Sequence, residues 1–168
     1  MALLVAGLLG AGLPTAPGIA GAAAGHVVDF TGHYAGTASL LINNGVVTIS
    51  SVHGKGTGTV VGNSSVTGMG SASASAQCDP FTGTGSIAGA TAKILLTVVK
   101  TQSSGCSSGE SGPVTVTFSG VAKATGGTGK TKGASGTLKF SGTLKLANTS
   151  GSENGPFTVV LTGKLSVA

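Results

Sequence analysis

From Thr137 to Leu146 the chain alternates with a two-residue period. Leu138, Phe140, Gly142, Leu144 and Leu146 occupy the even positions, and Thr137, Lys139, Ser141, Thr143 and Lys145 the odd ones. Successive side chains of a strand point to opposite faces, so this pattern predicts a half-buried strand with its even set inward. The same reading predicts strands over 34–42, 46–52, 57–61, 66–76, 114–122 and 157–167. Residues 94–99 (ILLTVV) are apolar on both faces and predict the most buried strand. Asn43-Asn44-Gly45 predicts a tight hairpin, since Asn and Gly tolerate positive φ. Gly62-Asn63 and Glu153-Asn154-Gly155 are read as further turns, and residues 124–136 as a glycine-rich turn. With no helical period after residue 25, some eight to ten strands predict an all-β fold. An antiparallel β-barrel of about eight strands is expected, with a β-sandwich as the alternative.

Two local features refine this. Val66–Ala76 alternates Gly68, Gly70, Ala72, Ala74 and Ala76 against serines, and so little side chain implies close approach by an opposing sheet or a bulky neighbour. Phe-Ser/Thr-Gly recurs at Phe30, Phe81, Phe118 and Phe140, placing a Gly two residues on, where it leaves room for a neighbouring ring. The copies are irregularly spaced, which excludes a solenoid.

Thirty-one glycines in 168 residues resemble a linker, but 40% of residues are apolar and 8% charged, the reverse of a disordered chain. The net charge of +5 comes from nine Lys against Asp29, Asp79, Glu110 and Glu153, with no Arg. Lacking the guanidinium fork, and with one Tyr and no Trp, the chain gives no support to a nucleic-acid partner, and none is expected. The lysines fall mostly on the wet face of strands, where they favour solubility and protect edges.

Residues 2–13 form an uncharged apolar run broken by Pro14 and Pro17 and followed by Ala22-Ala23-Ala24. This pattern predicts a secretory signal over 1–24, although no Lys or Arg follows Met1. The run is too short to span a bilayer, so membrane contact is expected only through that segment if it is not cleaved. A single domain then covers 25–168, secreted or at the cell surface. Cys78 and Cys106 both fall in expected loops, and in an exported protein such a pair predicts a disulfide that stabilises by about 3 kcal/mol. Two cysteines alone make no metal site, and no cofactor is implied.

The remaining chemistry is sparse. Residues 124–131 (ATGGTGKT) fit a loose phosphate-loop pattern, but no helix is expected after them, so a β-turn is the reading. His26, His33 and His53 have no base or metal partner in sequence apart from Asp29 and Tyr34 near His33, and are read as surface residues. No nucleophile elbow or carboxylate pair appears, and no catalytic residue is assigned. Thr57/Thr59, Thr82/Thr84 and Thr115/Thr117 suggest a Thr-rich adhesive or ice-active face, though without a fixed period.

GGTGKTKGASG, residues 126–136, resembles the GGTGxFxGAxG signature of dirigent proteins and their relatives in the allene oxide cyclase barrel group, a pattern also carried by secreted bacterial proteins of unassigned role. Gly126, Gly127, Thr128, Gly129, Gly133, Ala134 and Gly136 match, and Thr131 stands where the family has an aromatic. The resemblance implies an eight-stranded antiparallel barrel with an apolar cavity, often trimeric. No catalytic residue carries over from it. A lipocalin is the weaker alternative, since the G-x-W motif of its first strand cannot exist without Trp. The expected function is a non-catalytic barrel that binds a small apolar ligand or serves as a surface or matrix module. The alternative is an isomerase or coupling-guide protein of the dirigent and cyclase kind. Tyr34, Phe118, Leu138, Phe140, Leu144, Phe157, Val159 and Leu161 are the candidate cavity residues.

Overall fold

In a computed structural model, which describes residues 25–168, the chain forms nine strands: β1 (His26–Asn43), β2 (Val46–Gly58), β3 (Gly62–Ser73), β4 (Cys78–Gly89), β5 (Ala92–Val98), β6 (Ser104–Ser107), β7 (Val114–Gly129), β8 (Ser135–Leu146) and β9 (Gly151–Val167). Every pairing is antiparallel. The sheet runs β3-β2-β1-β9-β8-β7-β5-β4, and β3 pairs with β4 from Ser64 to Ala72, which closes it. The fold is therefore an eight-stave barrel and not a sandwich. β6 lies end to end with β5, because both pair with β4 on one side and β7 on the other. The chain leaves the wall between them in a 3-10 turn, Lys100–Gln102, and Ser103 returns to donate to Val121 O and accept from Val121 N.

The alternation works as the sequence implies. Leu138, Phe140 and Leu146 of β8 are buried, and Lys139 and Lys145 are exposed. Asn44 (φ 50°) and Gly45 (φ 72°) make the expected hairpin turn between β1 and β2. The signal-like segment 1–24 lies outside the described residues.

Several local expectations are corrected. Residues 57–61 are not a strand: β2 continues to Gly58, and Thr59–Val61 form the turn, with Val60 at φ 75°. An extra residue at Ser50/Ser51 bulges β2, so its inward set switches from Val47 and Ile49 to Val52, Gly54 and Gly56. Glu153-Asn154-Gly155 is not a turn but the interior of β9, with Glu153 and Gly155 inward. Residues 124–129 belong to β7, and the turn is confined to 130–134. β5 is half-buried rather than the most buried strand, since Leu95 is exposed on its outer face while Ile94 is fully buried. The cysteines are not in loops. They are directly opposed residues of β4 and β6, joined by a disulfide on the outer face.

One end of the barrel is sealed. Phe30, Tyr34, Val61, Ile87, Ile94, Leu138, Leu165 and Val167 form one continuous packed cluster there. Thr131, fully buried, anchors the 130–134 turn over this end by donating to Lys93 O (2.7 Å) and lying 2.9 Å from Thr128 O. At the opposite end a second, smaller cluster, Leu40, Val114 and Leu146, packs with Val47 and Ile49 of β2 and covers the β1–β2 and β7–β8 side.

Candidate functional site

The side left uncovered is hollow. In register, Gly68, Gly70 and Ala72 of β3 face Gly85, Gly83 and Phe81 of β4. The three atoms nearest a Cβ placed at any of the four glycines are all backbone atoms of the partner strand. At Gly70, Gly83 and Gly85 that Cβ would collide with the neighbouring strand's carbonyl, so glycine is needed there for the tight coiling of the wall as well as for space. The result is a cavity of about 330 Å³. Its lining includes Val52, Val66, Leu96 and Val98 besides the glycine stripe. Its floor is aromatic: Phe140 stands 5.8 Å from Phe81 and 6.3 Å from Phe118, ring centre to ring centre, with the planes tilted by 56° and 50°. Ala74, Ala76 and Gln77, exposed in the β3–β4 connection, form part of the rim with Ser107.

Six of the eight candidate residues, Phe118, Phe140, Leu144, Phe157, Val159 and Leu161, line this cavity. Tyr34 and Leu138 do not and are corrected: both are buried in the sealed end. Tyr34 contributes a hydrogen bond between its hydroxyl and Ser64 Oγ (2.9 Å). Burial pushes its phenol pKa up, an effect that the Ser64 hydrogen bond partly offsets.

Asp79 is the residue that sequence reasoning missed. It is 9% exposed, turned inward on β4, and lines the cavity. Its carboxylate accepts from Ala76 N, Ser75 N and Ser75 Oγ, each at 2.9 Å, which fastens the 74–77 connection at the rim. The backbone N–H of Ala76 is the main reason its pKa lies below the ordinary carboxyl value; burial opposes that shift, and the two Ser75 hydrogen bonds add to it. The Asp-Pro that follows Cys78 was the available signal, since Asp commonly accepts from nearby backbone N–H groups in turns.

The other candidates do not converge. His26, His33 and His53 are exposed, and Tyr34 faces away from His33 into the core. Thr57/Thr59, Thr82/Thr84 and Thr115/Thr117 sit on β2 and its turn, on β4 and on β7, which are not neighbouring staves, so they form no common face. The phosphate-loop-like stretch is strand and turn, and β8 follows it rather than a helix.

Fold and site together define a closed antiparallel barrel, sealed at one end, with one apolar cavity opening toward the other. No protein-family model, no curated protein and no solved structure matches the chain.

Proposed function

We propose that the protein is an exported barrel that holds one small apolar molecule in this cavity without transforming it. The observation that carries the reading is the bare inner wall of β3 and β4, where four facing glycines leave about 330 Å³ of apolar space beside four phenylalanines. A volume of this size falls within the range of small-molecule sites. Water gains little there, because an apolar lining offers it few hydrogen-bond partners. An apolar hollow forgoes the packing contacts of a filled core, which fits a site for a guest. Binding is favoured over catalysis because the one ionisable group lining the cavity, Asp79, already accepts three hydrogen bonds. Export fits the disulfide, which forms and persists in oxidising compartments. A barrel with an apolar cavity is also the architecture that the dirigent resemblance implies. It supports a second reading, guidance of a coupling or cyclisation by shape alone.

The test is titration of the protein with an uncharged fluorescent naphthylamine probe, alone and after Ala72→Leu, which projects a larger side chain into the space. Saturable binding at one site per chain, weakened at least about tenfold by the substitution, is expected. Absence of saturable binding would overturn the reading. A racemic phenoxy-radical coupling that becomes stereoselective in the presence of the protein would establish the second reading instead.

A further inference from the structure

The chain's charge is divided between the two ends of the barrel, and this bears on which apolar molecules the cavity takes. Overall the protein is basic, with a net charge of +5. Yet three of its four acids, Asp79, Glu110 and Glu153, lie at the open end: on the rim, in the β6–β7 connection and at the start of β9. The fourth, Asp29, sits toward the sealed end, paired with Lys164 at 2.7 Å, and this is the only ion pair among the described residues. Asp79 and Glu153 are each 9% exposed, face inward, and are not neutralised by any lysine. Their hydrogen bonds come from neutral donors: Ser75 and Ala76 for Asp79, Asn148 Nδ2 for Glu153 (2.6 Å). β4 and β9 stand on opposite sides of the ring of staves; Asp79 lines the cavity, and Glu153 lies across from it, on the side covered by the Leu40, Val114 and Leu146 cluster.

The cations nearest that end do not compensate. Lys145 projects outward from β8, and Lys100 borders a shallow outer groove with Val46, Ser71 and Pro80. All three histidines are exposed and none lines the cavity, while the rim's other polar side chains, Gln77 and Ser107, are neutral. A guest's apolar body lies against the phenylalanine floor, which leaves its polar end at the rim beside the Asp79 carboxylate, with Glu153 farther off across the ring of staves. In such surroundings a Coulomb interaction is less screened than in bulk water.

We propose that the cavity admits uncharged or cationic apolar molecules, alcohols, hydrocarbons or amines, and excludes anionic amphiphiles such as fatty acids, the opposite of what the net charge suggests. This inference rests on the ligand-binding reading of the same cavity. The test is displacement of the uncharged naphthylamine probe at neutral pH by decanol, decylamine and decanoate, which share one chain length and differ only in the head group. Decylamine is expected to displace it at least as well as decanol, and decanoate about tenfold or more less well. The gap should narrow as salt is added. Asp79→Asn combined with Glu153→Gln should bring decanoate to within about threefold of decanol; because Asp79 also fastens the rim, the salt series on the unaltered protein serves as the independent check. Equal or tighter binding of decanoate overturns the charge selection and leaves the cavity reading standing. Failure of the probe itself to bind removes both.

Discussion

The two halves of the barrel use glycine in opposite ways. In the sealed half, glycines lie under rings: a Cβ on Gly58 would run into Tyr34 and Phe30, and one on Gly32 into the same two rings. There a missing side chain is filled by a neighbour's aromatic ring, and the interior reaches the close packing of an ordinary core. In the hollow half, Gly68, Gly70, Gly83 and Gly85 face one another and nothing fills the space. The same residue therefore means packing where an aromatic ring lies over it and a cavity where none does. Stability is concentrated at one end and room for a guest at the other.

The strongest way to break this comparison is to shorten a leucine in each half. Leu138→Ala, fully buried at the sealed end, is expected to cost about 3–5 kcal/mol, whereas Leu144→Ala, which borders existing empty space, should cost about 1–2 kcal/mol. Denaturant titration of both variants checks this, and equal losses would mean that the halves are packed alike. The disulfide comes next. Replacing Cys78 and Cys106 by serine frees a 28-residue span, with an expected loss of about 3 kcal/mol. Hydrogen exchange should rise first in β6 and at the rim, while β8 and β9 near the sealed end stay protected.

A smaller effect is expected from Thr131→Val, which keeps the shape but leaves Lys93 O and Thr128 O without their hydroxyl partner. Calorimetry should show a loss of about 1–3 kcal/mol with no change in probe binding. The smallest is an acid effect at Asp79. Its carboxyl titrates lower in the folded chain than in the unfolded one, so its contribution is present above the ordinary value of 3.8 and lost as pH falls through the folded value. Exchange of the Ser75 and Ala76 amides should therefore accelerate in strong acid before the global unfolding transition, and amides that hold until global unfolding would deny the carboxylate its role at the rim.

Much of the barrel was legible in the sequence because strands of this kind carry their facing in a two-residue period. The even set from Leu138 to Leu146 and the odd set from Phe157 to Val167 both point inward as read. What escaped was set by partners distant in the chain. Asn-Gly at 44–45 turns, but Asn154-Gly155 does not, because β9 is held on both sides by β1 and β8, and Gly155 is tucked beneath Leu144 and Leu146. β4 went unassigned because its inward positions are largely Gly83 and Gly85, which carry no hydrophobic period. The glycine stripe of β3 was read as inviting a neighbour. Its emptiness depends on β4 presenting glycines at the matching register, which only the closure of the sheet reveals. The six cavity residues that were found are large and apolar; Tyr34 and Leu138 share that character, and only their height in the barrel distinguishes them.

The most direct test is methyl NMR of the protein under xenon pressure, since xenon enters apolar voids without needing a specific contact. Methyl shifts confined to Val52, Val66, Leu144 and Val159, with Ile94, Leu138 and Leu165 unmoved, are what a barrel hollow at one end predicts. Shifts spread evenly over both groups, or absent from the first, would contradict it.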